Sequence, residues 1–463
     1  MPKQWEDHTM SSTVGIPADL NVLAAHVWPA GVQRSPDTGV VSMHGHDVRE
    51  LAEQFGTPAY VLDEIEFRDR IRSWKSAFDE ATNSTASVYY AGKAFLCSAV
   101  VRWLAQEGVN LDVCTGGELA VALRAGFDPA AILMHGNNKS QGELTQAVEA
   151  GVGLIVLDSF EEIARLAHIA AQAGKVQAVL IRVTVGVEAH THEYIATAHE
   201  DQKFGFSLAG GQALEAIKRV NKLSALSLQG LHSHIGSQIF NTSGFEVAAH
   251  RLTQFLVQVR DECSVELPML DLGGGLGIAY TPDDDPLAPQ VIAQQLIGIV
   301  AEQCQVSGLA MPRIVVEPGR AIAGPTTMTI YQVGTIKPID LDGITRTYVS
   351  VDGGMSDNIR TALYDAVYTC SLVSRASAAE PMLVRVVGKH CETGDIVVRD
   401  AWLPSDLAPG DLIAVAATGA YGRSMASNYN HVPRPPVVAV TPDASRLIVR
   451  RESVEDILAL DVD

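Results

Sequence analysis

Lys93 stands two residues beyond the apolar run Ser87–Ala91 (SVYYA) and just ahead of a helix-like run from Phe95. A lysine at the C-terminal end of a buried strand, beside Tyr89 and Tyr90, is partly desolvated. Desolvation lowers an ammonium pKa and frees the amine as a nucleophile. Lys93 therefore reads either as a Schiff-base lysine or as a strand-end lysine that reaches solvent. Glu317 closes a second apolar run, Arg313–Val316, within EPGR at 317–320. A carboxylate so placed needs a partner. Arg320 would give a plain ion pair. A cationic ring nitrogen would instead be kept protonated by Glu317, and a protonated pyridine is an electron sink for a carbanion.

Other clusters could serve such a ring. Bare backbone at Gly273, Gly274 and Gly275 can approach an anion closely. Their spacing fails the dinucleotide fingerprint and lacks the Lys-Ser/Thr of a P-loop, so a monophosphate or a simple tight turn remains. His234 lies in GLHSHIGSQ (230–238), on the same side of its strand as His232. It reads as an imidazole stacked on a flat cofactor, with Ser237 at the phosphate, or as a hydrogen-bonded core histidine. Arg360, at the end of DGGMSDNIR (352–360) and near Tyr364, can grip a carboxylate bidentately. Turns are the ordinary use of such Asp/Asn/Gly clusters. Cys391 sits beside Glu392 in CETGD (391–395), as a proton donor or as an inert thiol. Tyr421, in GAYGRSMASNYN (419–430), offers a hydroxyl to a phosphate or a ring to a substrate, or packs a loop.

These residues need a scaffold that gathers many strand ends. Apolar strand candidates begin near Ser87, Val109, Ala131, Gly153, Gln177, Leu226, Met269 and Arg313. Helix-period runs separate most of them: Ala94–Gln106, Gly117–Arg124, Gln141–Ala150, Phe160–Ala173, Gln212–Asn221, Phe245–Asp261 and Pro289–Gln303. Lys93, Asp112, His135, Asp158, Arg182, His234, Gly273 and Glu317 each fall at or just past a different strand end. That distribution predicts a (β/α)8 barrel, since a doubly wound sheet concentrates such groups at one switch point. After Pro325 the texture changes to short β-branched runs at Thr327–Lys337, Thr345–Val351, Met382–Val387, Asp395–Val398 and Leu412–Ala417. The expected division is 1–50 as an N-terminal segment, 51–325 as the barrel, and 326–463 as an antiparallel β domain that the N-terminal segment completes.

Composition narrows the partners. With 463 residues, 47% hydrophobic and 19% charged, the chain can bury a large core. A net charge of −20 disfavours nucleic acid and anionic membrane, and an anionic substrate then needs locally placed arginines. Six scattered cysteines form no CxxC pair and no Cys/His cluster with zinc-finger spacing, so no metal site is expected. The polar start MPKQWEDHTM predicts no secretory leader, and a reducing cytoplasmic location fits the cysteine usage.

Taken in order, YYAGKA with Lys93, LDVCTGGE with Asp112 and Glu118, KFG at 203–205, HSHIGSQ, the triple glycine, EPGR, DGGMSDNIR with Leu363-Tyr364, CETGD and GAYGRSMASNYN resemble the fold-type III pyridoxal-phosphate decarboxylases. They span residues 89 to 430. The resemblance implies a head-to-tail homodimer with active sites at the interface. It implies pyridoxal 5'-phosphate bound through Lys93, with His234 on the ring face and Glu317 at the ring nitrogen. Gly275, the Pro318-Gly319-Arg320 region, Ser237 and Tyr421 would surround the phosphate. Arg320, Arg360 and Tyr364, with Tyr421 near, would grip a distal carboxylate of the substrate. Cys391 would return a proton and Glu392 would bind the distal amino group, both across the interface. The implied reaction takes meso-2,6-diaminoheptanedioate to L-lysine and CO2, the last step of lysine biosynthesis. Sister decarboxylases acting on ornithine, arginine or carboxynorspermidine are the alternative, with a racemase on the same barrel behind them. Three positions depart from the family pattern: Thr361 and Thr393, and Thr184-Val185 where the family often has Asn-Pro. None carries assigned chemistry.

Overall fold

The computed structural model describes residues 15–83, 85–186, 203–341 and 344–462; the first fourteen residues of the N-terminal segment lie outside these. Eight parallel strands form a closed barrel: β1 (Ser87–Ala91), β2 (Asn110–Val113), β3 (Ile132–Met134), β4 (Leu154–Leu157), β5 (Gln177–Thr184), β6 (Leu226–His232), β7 (Met269–Asp271) and β8 (Arg313–Val316). Each pairs with its successor, and β8 returns to β1 through Val315 with Ser87 and Val316 with Val88. The strands are short apolar runs because both faces are covered. Tyr89, Leu133, Val156, Leu180 and Val315 fill the barrel interior, so it is packed rather than open.

Local chemistry sets the helix boundaries. Ser140 caps Gln141–Ala150 in a capping box with Glu143, and Gly151 ends that helix in the left-handed region. The Ser159 and Thr115 side chains cap Phe160–Gln172 and Gly116–Arg124 by accepting from Glu162 N and Glu118 N. One barrel helix is absent from the sequence reading: Glu64–Thr82, whose stripe Phe67, Ile71, Trp74 and Phe78 is buried. Its many charged residues on the outer face mask that stripe.

Asp63 joins the two halves of the molecule. Its carboxylate accepts from Glu66 N (2.9 Å), capping this helix, and from Gly31 N (2.9 Å). It also lies 2.8 Å from His44 Nε2. The strand it ends, Ala59–Asp63, belongs to the second sheet and not to the barrel. Ala59–Leu62 pair antiparallel with Thr327–Ile330, and Tyr60–Asp63 pair parallel with Val437–Val440. Thr347–Ser350 likewise run parallel to Val384–Val387. The sheet is therefore mixed, where an antiparallel one was expected. Alternation of side chains is identical in both pairings, so sequence parity does not distinguish them. The N-terminal segment forms a small sheet of its own, Val32–Arg34, Val41–Met43 and His46–Asp47. Val41 and Met43 pack with Val27 and Trp28 against Met328, Ile330 and Val438 of the second domain.

Candidate active site

The C-terminal ends of the barrel strands open into a cavity of about 1070 Å³, closed on its far side by the β domain. Lys93 enters it from a 3-10 turn, Gly92–Ala94, directly after β1. The exposed part of this side chain faces the cavity, inside the molecule. The expectation of a lowered pKa does not hold. Burial does push the amine down, but Asp112, Cys114, Tyr421 and Glu317 outweigh it, and Lys93 lies above the ordinary lysine value. The acids that hold it cationic can also accept its proton.

Glu317 follows β8, is buried, and lines the cavity. Arg320 is not its partner. Glu317 Oε1 lies 2.5 Å from His135 Nε2, and Oε2 lies 3.6 Å from His232 Nε2. Burial pushes its pKa up, but the two imidazoles outweigh that and hold it well below the usual carboxylate range. His234, two residues past β6, also lines the cavity. Burial, then the Lys93 and Arg182 charges, push it down to about 3, so the ring is neutral and flat.

Gly274, Gly275 and Gly319 line the same cavity. A Cβ at Gly275 would stand 2.2 Å from Gly236 O, and one at Gly319 would stand 2.8 Å from the Ala91 Cβ. Only bare backbone fits these walls. Arg320 reaches Ser237 Oγ at 2.8 Å and Tyr280 Oη at 2.5 Å, while its buried Nε has no hydrogen-bond partner. Its guanidinium stacks over Tyr421, 4.8 Å from the ring centre. Arg360 is buried, donates to Tyr368 Oη (2.5 Å), and lies 4.7 Å from the Tyr280 ring centre. Among the described residues neither guanidinium has a carboxylate partner within ion-pair distance.

The cavity thus gathers Lys93, His234, Ser237, Gly275, Glu317, Gly319, Arg320, Arg360, Tyr364 and Tyr421. Pro318 is buried behind the wall, and Cys391 and Glu392 are exposed on the β domain, outside this cavity. Sequence reading gave no role to His135, Asp271, Tyr280 or Tyr368. His135 carried a signal, a polar residue directly after an apolar strand. The two tyrosines carried none, because single aromatics in loops look alike.

These residues fit pyridoxal phosphate: a cavity-facing amine, a neutral flat imidazole, an ionised buried acid, glycine walls and an arginine with an unused buried N–H. The sequence model of the family described as "Pyridoxal-dependent decarboxylase, pyridoxal binding domain" matches residues 64–324. The chain is 57% identical over 449 residues to diaminopimelate decarboxylase of Mycobacterium tuberculosis, covering 96% of this chain and 99% of that one. It is 46% identical over 432 residues to the Bacillus subtilis enzyme of that name, covering 93% and 97%. The crystal structure of diaminopimelate decarboxylase from M. jannaschii in complex with L-lysine superposes with a TM-score of 0.86 at 31% identity, covering 93% and 98%.

Proposed function

The chain belongs to the pyridoxal-dependent decarboxylases, and we infer that it converts meso-2,6-diaminoheptanedioate to L-lysine and CO2. The observation that carries the choice of substrate is the pair of guanidiniums, Arg320 and Arg360, that line the Lys93 cavity without a carboxylate partner among the described residues. A substrate ending in a cation, such as ornithine, would want acids there. A substrate with a second carboxylate supplies the missing anion.

Pyridoxal phosphate, when bound, supplies an electron sink for the charge left on the α-carbon as CO2 departs. Lys93 would hold it through its amine, and His234 would stack on the ring. Glu317, as a carboxylate, would favour a protonated ring nitrogen. Gly275, Gly319, Ser237 and Tyr421 would hold the phosphate, where Arg320 would add charge. Arg360 and Tyr364 hold the distal carboxylate and so orient the carboxylate to be lost. Lys93 moves protons between its Nζ and the substrate nitrogen, with Asp112 beside it. In a homodimer, Cys391 of the partner subunit returns the proton to the α-carbon and Glu392 of the partner subunit binds the distal amine. Their exposure outside their own chain's cavity supports this. So do the exposed apolar residues Leu363, Tyr364 and Val367, the last two at the cavity wall. Six free cysteines fit a cytoplasmic enzyme, and among the described residues no helix is long and apolar enough to cross a membrane.

Lys93→Ala tests this reading. Visible absorbance of lysine-linked pyridoxal and lysine formation should vanish together, in a protein that still folds. Persistent lysine formation would remove Lys93 from the mechanism.

A further inference from the structure

Building on that reading of the cavity, we propose that His135 is a positioning residue that keeps Glu317 as a cavity-facing carboxylate and so sets the protonation of the cofactor's ring nitrogen. Three buried acids meet beneath the cavity: Asp112 after β2's start, Asp271 at the end of β7, and Glu317 after β8. Crowding and burial force some of them to hold protons. Which one ionises decides whether the ring nitrogen meets a carboxylate or a carboxylic acid.

The geometry favours Glu317. It alone of the three lines the cavity. His135 is buried and fixed by its own backbone, whose N–H donates to Val113 O at 2.8 Å. Its Nε2 lies 2.5 Å from Glu317 Oε1 and 3.8 Å from Asp112 Oδ1. Asp271 belongs to the same cluster, but among the described residues no ion pair joins it to His135; its Oδ1 accepts from Gly273 N at 2.8 Å. His232 lies edge-on to His135, with ring centres 4.5 Å apart, and neither of its ring nitrogens makes a hydrogen bond. Burial holds His232 neutral, with a pKa of about 3. Among the described residues His135 makes the shortest ion-pair contact with Glu317.

The charges agree with the geometry. Burial and then Glu317 push Asp271 well above the usual carboxylate range, and burial takes Asp112 up to about 7. Glu317 moves the other way. On this proposal the proton of the 2.5 Å contact sits on Nε2 of His135, with Glu317 accepting it.

The test compares His135→Phe, which keeps a flat ring and loses the donor, with His135→Gln, which restores an N–H. In His135→Phe, the affinity of the cofactor-free protein for pyridoxal phosphate should fall at least tenfold. Its kcat should also fall at least tenfold with little change in KM, and His135→Gln should recover most of both. A folded His135→Phe with unaltered cofactor affinity and kcat would overturn the proposal. If His135→Phe does not fold, imidazole 15N shifts of the unaltered, cofactor-free protein decide. A protonated Nε2 on His135 supports the proposal and a bare Nε2 refutes it. An unaltered enzyme that makes no lysine would instead refute the reading of function, and the 15N result would stand by itself.

Discussion

At the scale of single residues, the site works by keeping some groups neutral and others charged against their ordinary tendencies. His234 and His232 are both held neutral by burial, each with a pKa of about 3 against an ordinary 6.5. Between those values the unfolded chain binds a proton at each histidine that the folded chain refuses. Stability therefore rises with pH across that window and is lost on acidification, by about 1.4 kcal/mol per pH unit per histidine. Above an ordinary histidine pKa this contribution is constant. His234→Phe keeps the flat ring and removes one such proton. The dependence of the unfolding free energy on pH, read from urea titrations between about pH 4 and 6, should become shallower by that amount. An unchanged slope would mean that His234 is not held neutral in the folded chain.

At the scale of elements, the turns after β1, β6, β7 and β8 line the cavity. The turn after β7 shows this most clearly. Gly275 has φ +99°, and its missing Cβ leaves room for Gly236 O, so backbone packs directly on backbone. Gly275→Ala should cost about 1–3 kcal/mol of stability and abolish tight binding of pyridoxal phosphate, read by absorbance titration. Full loading of the variant would show that this turn does not hold the phosphate. The sequence made such turns legible because strand ends carry the polar residues: Lys93, His234 and Glu317 all stand where an apolar run stops. The starts of all eight barrel strands were legible within a residue for the same reason. Three things were not. The strand Ala59–Asp63 reads like any apolar run, and only long-range pairing assigns it to the second sheet. The parallel pairings in that sheet leave no mark on alternation. His135 shows its value only through a contact with Glu317, 182 residues away in the chain.

At the scale of the whole molecule, a chain of net charge −20 places in one cavity two guanidiniums that have no ion-pair partner among the described residues, a local exception to the field around them. The proposed site is also incomplete in one copy, because Cys391 and Glu392 are exposed and do not line their own cavity. Mixing Lys93→Ala with Cys391→Ala, each inactive alone, should then restore roughly a quarter of normal activity, since half the pairs are mixed and each mixed pair has one intact site. A mixture no more active than its components would place both residues in one subunit's site. The most direct measurement gives the purified, pyridoxal-phosphate-loaded protein meso-2,6-diaminoheptanedioate or ornithine and follows CO2 and product. The account predicts lysine and CO2 in equal amounts from the first and negligible putrescine from the second. Preferred turnover of ornithine, or no CO2 from the diacid, would contradict it.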